Sequence, residues 1–511
     1  MKFAYIIGMN DKILSGKAMH NKPARVFLLS SLFILIFSLC AYANPRVVAH
    51  TNTIPGFVCY RSIAGIKNRI TQLLKQYPQS LSVSDIGDSW EKQELGEGFG
   101  HDLVVLKLEN QNTPGPKPSL VLISGLKANS FGPVEINLRF AEFLLAKQQN
   151  RDDVRYLLDH FNVHFIFLAN PDGRVKAESQ ADGYGQSELI TWTKNTNPGS
   201  CPNENGGVSL EQNFSYQWQN QPNDPCSPDF PGTQAFSEPE TQAIRDYLQN
   251  LAQANPGQQL LINLESWQNF ILHPYLYSKT HKVRQYEAHQ ILTNKLSYGQ
   301  EAVPQAFNSA HFEVQYGTLI DFAHAELEMT TINYRLGSEL GGRDVSQCAY
   351  FEESLVQAAL DSLFRALKAL PKPLEYAAGP EIHNLKASYD AESKKVSITG
   401  VADSLSFYRH TNRVTSIFEL YYSFDVPPWH PQANLLPIEN FTRDLDYPGL
   451  AEFSLDLDLT KIPAQGTMVY IQGMAEDGVR DSFDAGFVER IWIKALDTEL
   501  NLYLPIVRSK P

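Results

Sequence analysis

Short apolar runs alternate with helical stretches through residues 102–264. The runs at 103–108 and 119–124 are rich in Val and Leu and bounded by Gly or Pro, which predicts strands that are covered on both faces. The segment 133–147 repeats apolar residues at the spacing of one helical face, and 163–168 predicts the next strand. This order of elements predicts a doubly wound α/β domain with a largely buried sheet.

The pattern changes after residue 370, where Pro371, Pro373 and Gly379-Pro380 interrupt the chain. Beyond them the apolar residues recur at every second position, and no helix is predicted. These alternating segments are 394–400, 416–424, 451–457 and 467–474. They predict an all-β domain of immunoglobulin-like sandwich type. We therefore place an α/β domain at 44–372, a β-sandwich domain at 378–500 and a C-terminal tail at 501–511.

The first 43 residues have the composition of a leader. Basic residues precede an apolar run at 26–39, and Ala41-Tyr42-Ala43 supplies a cleavage pattern of small residues. The run is shorter than the ~20 residues that a membrane span needs, so a cleaved signal peptide is favoured over a retained anchor. We expect export by a Sec-type route to a secreted or periplasmic location, with no membrane span after cleavage. Translation could begin at Met1 or at Met19.

The composition is that of a folded protein with an acidic surface. Of 511 residues, 43% are hydrophobic and 19% are charged, and the formal net charge is -13. Nucleic-acid binding needs clustered Lys and Arg to displace counterions, and the sequence has no such cluster. A nucleic-acid partner is therefore not expected.

Four cysteines remain once the leader is removed: Cys59, Cys201, Cys226 and Cys348. An even number of cysteines in an oxidising compartment favours disulfides. The sequence has no CxxC spacing, so it does not indicate a structural zinc site. Cys201 and Cys226 share one stretch rich in Pro, Gly and Asn, so that loop closes easily. A Cys59–Cys348 pair follows only by elimination.

Several adjacent segments resemble the M14 zinc carboxypeptidases, the family of pancreatic carboxypeptidase A. The segments are Asn170-Pro171-Asp172-Gly173, 210–218 (LEQNFSYQW), 224–227 (DPCS) and 235–241 (AFSEPET). They occur in family order and spacing over roughly residues 58–370. The resemblance implies an eight-stranded mixed sheet with helices on both faces, and a disulfide where Cys201 and Cys226 lie.

That family holds zinc with a His and a Glu three residues apart and a second, distant His, which leaves one position open for water. In this chain Lys127 matches the first His, Ser130 the Glu and Glu265 the second His. An ammonium and a hydroxyl cannot replace an imidazole and a carboxylate in such a site. We therefore expect no cofactor, and Zn²⁺ only if these positions are misaligned.

The other catalytic positions of the family are also altered. Counting without gaps from Ile320-Asp321-Phe322 places Arg335 at the general base, whereas a short gap would place Glu339 there. Arg335 could not accept a proton from water. The oxyanion-stabilising Arg is matched by Thr193, and the Asn-Arg that grips the substrate carboxylate is matched by Glu211-Gln212.

No substitute centre is evident from the sequence. There is no HxxE, HExxH or GxSxG motif. His273 and His324 could lie near the former site, but single His residues on packed elements are seldom ligands.

Lys127 and Glu265 could pair across the cleft and compensate the buried charge without a metal, or both side chains could turn to solvent. Three hypotheses about function follow. The first is a non-catalytic binder, in which Lys127 with Arg335 holds the carboxylate of a peptide end or a cell-wall fragment and Ile320 offers an apolar wall. The second is an active zinc metallocarboxypeptidase that removes C-terminal amino acids. The third is an interaction scaffold whose β-sandwich docks a protein partner.

Overall fold

The computed structural model describes residues 52–494, except for 114, 182, 185–189, 267–269, 298–313, 337–347, 349–350, 391, 405–414 and 478–481. The predicted signal peptide at 1–43, the tail at 501–511 and Glu339 lie outside the described residues. None of the helices within the described ranges combines the length and the apolar character that crossing a membrane requires.

The N-terminal part alternates strands and helices in the predicted order. Its strands are β1 (Thr53–Ile54), β2 (Phe57–Arg61), β3 (Leu81–Asp88), β4 (Asp102–Leu108), β5 (Ser119–Ser124), β6 (Asn162–Ile166), β7 (Gln259–Ser266), β8 (Phe270–Leu272) and β9 (Thr330–Leu336). Its helices are α1 (Ile63–Gln76), α2 (Trp90–Leu95), α3 (Phe131–Lys147), α4 (Asp152–His160), α5 (Pro171–Ser179), α6 (Pro239–Ala254), α7 (Tyr286–Ser297), α8 (Leu319–Leu327), α9 (Glu353–Ala369) and α10 (Pro373–Tyr376).

One mixed sheet forms the centre of this part, in the strand order β3-β4-β6-β5-β7-β9-β8. Strands β6, β5, β7 and β9 run parallel, and β3, β4 and β8 are joined antiparallel. The sheet has seven strands within the described residues, whereas the resemblance implied eight. The prediction of a mixed sheet in an α/β fold is confirmed. An eighth strand is not found within the described residues.

Strand β5 shows why the sheet is buried on both sides. All six of its residues are buried. Leu120 and Leu122 belong to one hydrophobic cluster, which also contains side chains of α3. Val121 and Ile123 belong to a second cluster, which contains side chains of α6. Because alternate residues of a strand point to opposite faces, each face needs its own layer of helices, and a continuous apolar run is the sequence that satisfies both.

The C-terminal part is built of antiparallel sheets. Its strands are β10 (Glu381–Asp390), β11 (Lys395–Asp403), β12 (Thr415–Phe424), β13 (Leu436–Pro437), β14 (Phe441–Arg443), β15 (Leu450–Asp458), β16 (Thr467–Asp477), β17 (Ser482–Ala485) and β18 (Glu489–Ile493). One sheet has the order β10-β11-β15-β14, and the other has β13-β12-β16-β17 with β18 also paired to β16. Side chains of both sheets share one hydrophobic cluster, which includes Val396, Ile398, Val469 and Ile471. The predicted alternation at 394–400 and 467–474 corresponds to β11 and β16.

Polar and aromatic contacts join this region to the N-terminal part. The indole Nε1 of Trp429 donates to the Tyr156 hydroxyl at 2.8 Å. The Lys295 ammonium is buried on α7, donates to the Gly379 carbonyl at 2.8 Å and lies 3.9 Å from the centre of the Phe487 ring. The boundary between domains at 372–378 stays a prediction.

Both cysteine pairs form disulfides. Cys201–Cys226 closes the predicted short loop, and Cys59–Cys348 joins residues 289 positions apart. The pairing that the sequence supplied only by elimination is thereby confirmed.

Candidate functional site

The candidate site lies where the parallel strands β5, β7 and β9 end. Carboxyl ends of parallel strands meet at one edge of a sheet, which is where α/β proteins bind ligands. The chain leaves β5 through Gly125, whose φ of +75° is a backbone conformation that favours glycine. The following loop carries Lys127 and Ser130, while Glu265 and Arg335 lie near the ends of β7 and β9.

Backbone contacts hold the loop that carries Lys127. The Asn170 amide donates to the Leu126 carbonyl at 3.1 Å, and the Ala128 N–H donates to the carbonyl of Thr193 at 2.9 Å. Thr193, predicted at the oxyanion position, therefore supports this loop through its backbone. The loop is anchored on both sides of Lys127, which limits where the ammonium can reach.

Glu265 and Arg335 form an inner ion pair. They are direct neighbours in the register of β7 and β9, and Arg335 Nε lies 3.3 Å from Glu265 Oε2. The Glu265 carboxylate also accepts from the side-chain amides of Asn263 at 2.7 Å and Asn333 at 3.1 Å. The side chains of Glu265 and Arg335 are only 14% and 8% exposed. The carboxylate is thus surrounded by three nitrogen donors.

Arg335 also contacts the segment that precedes α8. Its Nη2 donates to Gln315 Oε1 at 3.4 Å, and the Gln315 N–H donates to the Leu276 carbonyl at 3.1 Å. The guanidinium is therefore fixed between β7 and the segment that precedes α8.

Lys127 and Glu211 form an outer ion pair. Lys127 Nζ lies 3.6 Å from Glu211 Oε2, and the side chains are 39% and 17% exposed. Glu211 raises the pKa of Lys127, with smaller contributions of the same sign from Glu265 and Asp229. Burial raises the pKa of Glu211, and the neighbouring Lys127 works against that effect. The ammonium form of Lys127 is therefore the stable one.

The predicted Lys127–Glu265 ion pair is wrong. Lys127 pairs with Glu211, and Glu265 pairs with Arg335, its neighbour on the adjacent strand. Adjacent parallel strands bring Glu265 and Arg335 side by side, and the loop geometry directs Lys127 towards the 3₁₀ turn Leu210–Gln212 instead.

The remaining predicted residues lie as follows. Ser130 precedes α3, and its hydroxyl is 2.8 Å from that of Ser266, next to Glu265 in the chain. Gln212 ends the same 3₁₀ turn that carries Glu211. Ile320 is buried on α8 within the second hydrophobic cluster.

Sequence reasoning missed the amides that bind Glu265. Asn263 precedes Glu265 by two positions and Asn333 precedes Arg335 by two, so each pair shares a face of its strand. Polar residues at alternate positions of an otherwise apolar strand were the signal that could have identified them.

These residues do not fit a zinc ion. Lys127 is a stable cation, and the Ser130 hydroxyl is a neutral group hydrogen-bonded to Ser266. The oxygens of Glu265 are engaged by Asn263, Asn333 and Arg335. Zinc sites instead use imidazole, thiolate or free carboxylate ligands. Across the described ranges, no group of three or more His, Cys, Asp or Glu residues has the arrangement of a metal site.

A cluster of buried imidazoles lies on the segment after β8 and on α7 and α8. The His289 ring lies 5.9 Å from that of His273 and 5.4 Å from that of His324. Each Nδ1 lies within 3.1 Å of a backbone carbonyl oxygen, to which it can donate. Burial lowers the pKa of His273 to about 4 and of His289 to about 3, and it also lowers the pKa of His324.

These shifts predict acid sensitivity of the fold. In the unfolded chain an imidazole binds a proton below its ordinary pKa of 6.5, whereas folded His289 stays neutral down to about 3. The contribution to stability is therefore complete above pH 6.5 and is lost as the pH falls towards the folded value. We expect His289→Gln to reduce the slope of unfolding free energy against pH, between pH 6 and 4.5, by up to about 1.4 kcal/mol per pH unit.

Urea denaturation at a series of pH values measures this slope. An unchanged slope for His289→Gln would contradict the assignment.

A mixed sheet with helices on both faces, and a polar site at the ends of its parallel strands, defines the class of α/β proteins that bind ligands at the carboxyl ends of their strands. The chain belongs to the zinc carboxypeptidase family, peptidase M14, whose family model matches residues 66–350. The absence of a metal-binding group from the described residues is consistent with degenerate metal positions, and the assignment of Lys127, Ser130 and Glu265 to the family's ligand positions stays a prediction.

Three of the relatives found by sequence show the extent of the similarity. The protein named inactive metallocarboxypeptidase ECM14 in Paracoccidioides lutzii is 26% identical over 230 residues, which are 43% of this chain and 36% of that protein. Its namesake in Ajellomyces dermatitidis is 24% identical over 280 residues, covering 51% and 44%. A metallocarboxypeptidase A-like protein of Trichophyton verrucosum is 27% identical over 184 residues, covering 35% and 40%. The chain thus spans less than half the length of these relatives.

Solved structures share the fold. Bovine thrombin-activatable fibrinolysis inhibitor, in complex with tick carboxypeptidase inhibitor, superimposes with a TM-score of 0.51 at 18% identity, over 61% of this chain and 98% of that one. Carboxypeptidase A from Helicoverpa armigera gives a TM-score of 0.50 at 20% identity, over 68% and 80%.

Proposed function

We propose that this protein is an exported, non-catalytic member of the zinc carboxypeptidase family that binds a ligand in the former active-site cleft. The observation that carries the proposal is the pair of ion pairs Lys127–Glu211 and Glu265–Arg335, which balance charge at the strand ends without a metal. The relatives that are named inactive metallocarboxypeptidases support it. The two disulfides agree with an oxidising, secreted or periplasmic location.

The alternative is an active zinc metallocarboxypeptidase, and metal content separates the two. We expect substoichiometric zinc by elemental analysis of the purified protein, and no release of C-terminal amino acids from blocked dipeptides. Addition of zinc should restore neither property. Stoichiometric zinc together with chelator-sensitive release of C-terminal residues would overturn the proposal.

Within the cleft, Lys127 is the cation available to a ligand. Arg335 is 8% exposed and already engaged by Glu265 and Gln315, whereas Lys127 is 39% exposed. A peptide end or a cell-wall fragment would thus place its carboxylate on Lys127 alone, not on Lys127 and Arg335 together. Titration with matched peptides should detect tighter binding of the free than of the amidated C-terminus.

A scaffold role is the second candidate, supported by the loop between β14 and β15. Leu445 is 99% exposed and Tyr447 is 59% exposed, beside the edge strand β14. In this hypothesis the C-terminal region is an immunoglobulin-like sandwich that docks a protein partner through apolar surface. This hypothesis predicts equal affinity for peptides with a free and with an amidated C-terminus, so the same titration separates the two candidates.

A further inference from the structure

The two ion pairs of the cleft differ in what they leave available to a ligand. The inner carboxylate of Glu265 accepts hydrogen bonds from two side-chain amides, is ion-paired with Arg335 and is 14% exposed. For the outer pair, the described residues supply only the 3.6 Å contact between Lys127 Nζ and Glu211 Oε2. An ammonium has three donors and a carboxylate has about four lone-pair sites, so both outer groups keep bonding capacity. The outer pair is the part of the cleft that can take a ligand.

The charges around Lys127 restrict the chemistry of that ligand. Lys127 interacts with three acids, Glu211, Glu265 and Asp229, and with one other base, Arg335. The two ion pairs already set one base against one acid each. A ligand that carries only a carboxylate would add a negative charge that neither pair neutralises.

Glu211 makes a purely anionic ligand still less favourable. Its side chain is 17% exposed, and burial raises its pKa. A carboxylate that drew Lys127 away would leave Glu211 as a buried anion without its counter-ion, which is strongly destabilising. A ligand that also brings an ammonium to Glu211 replaces the lost counter-ion. A ligand that carries an ammonium but no carboxylate is penalised less. If it took over Glu211, the ammonium of Lys127 would stay hydrated and would still interact with Glu265 and Asp229.

We propose that the outer pair recognises the zwitterionic head group of an α-amino acid, with the ligand carboxylate on Lys127 and the ligand ammonium on Glu211. The inference rests on the proposed non-catalytic binding function and narrows its ligands to those that carry a free α-ammonium beside the carboxylate, which the C-terminal residue of a peptide lacks. In an α-amino acid the ammonium and carboxylate groups are attached to the same carbon. The two atoms that would recognise them, Lys127 Nζ and Glu211 Oε2, are 3.6 Å apart. One small head group can therefore contact both side chains at once.

The test uses the purified full-length protein. The twenty free amino acids are first screened by thermal shift, and the strongest binder is titrated by calorimetry beside its amide and its N-acetyl derivative. We expect the free amino acid to bind at least about tenfold more tightly than either derivative, because each lacks one of the two charges. The amide should rank above the N-acetyl derivative.

Two variants separate recognition from a structural role. Lys127→Met should weaken binding of the free amino acid and reduce the difference in affinity between the free amino acid and its amide. Glu211→Gln should weaken binding of the free amino acid but strengthen binding of the N-acetyl derivative relative to wild type, because Lys127 is then released from its partner. This inversion is not expected from a loss of folding. Lys372→Met removes a 2.7 Å surface ion pair with Glu375 and should change neither affinity.

Binding of none of the twenty amino acids, or equal binding of the free and N-acetyl forms, overturns the zwitterion inference. If the wild-type protein binds the N-acetyl derivative more tightly than the free amino acid, the zwitterion inference is also overturned. Recognition of a carboxylate by Lys127 would then still stand. Stoichiometric zinc with peptidase activity would instead overturn the proposed non-catalytic function, so the two failures are distinguishable.

Discussion

Zinc is expected to bind stoichiometrically once Lys127→His, Ser130→Glu, Glu265→His and Arg335→Met are combined. The first three changes supply two imidazoles and one carboxylate at positions that lie close together, since Ser130 contacts Ser266 beside Glu265 and Lys127 interacts with Glu265. The fourth removes a guanidinium that would lose its partner and repel the metal. Glu211, deprived of Lys127, would face the positive charge of the zinc. We expect zinc affinity to rise by at least about a hundredfold over wild type.

Equilibrium dialysis and elemental analysis measure this effect. Ser130→Glu alone, and the combination that lacks it, are matched controls that supply one or two ligands, and both should bind zinc more weakly than the complete set. If the complete set holds no more zinc than wild type, then the assignment of Lys127, Ser130 and Glu265 to the ligand positions is wrong.

Loss of Glu265 alone is expected to destabilise the protein by about 3–5 kcal/mol, because the substitution Glu265→Leu leaves a buried arginine without its anionic partner. Asn263 and Asn333 would at the same time lose their shared acceptor. Combining Glu265→Leu with Arg335→Met removes both charges, and the double variant should be more stable than Glu265→Leu alone.

Urea denaturation of the two single variants and the double variant completes this cycle. The outer pair provides the comparison: Glu211→Leu should cost less, because Lys127 is 39% exposed and remains solvated. Strict additivity of the Glu265 and Arg335 substitutions would show that the inner pair does not act as a unit.

The buried core of the N-terminal part was predictable because its sequence signal is local. A short apolar run such as 119–124, bounded by Pro and Gly, favours a strand covered on both faces, and β5 has that environment. The alternating residues of β11 and β16 are likewise local, and they form the predicted strands. The eight-stranded sheet was not reproduced within the described residues, since strand number depends on which distant segments pair.

The replacement of the metal ligands was predicted from the sequence, because a ligand position is a matter of residue type. Lys127 and Ser130 cannot supply an imidazole and a carboxylate in any fold. Their partners were not visible. The prediction joined Lys127 to Glu265, whereas the register of β7 with β9 brings Arg335 to Glu265.

The sequence by itself determined the order of strands and helices and the family, and it predicted degenerate metal positions, because each depends on residue type at fixed spacing along the chain. Only the tertiary structure decided which acid neutralises which base, which amides surround Glu265, and that Lys127 rather than Arg335 remains exposed. These are contacts between residues far apart in the chain, and their energies depend on distance and burial, which the register of strands and the path of loops set.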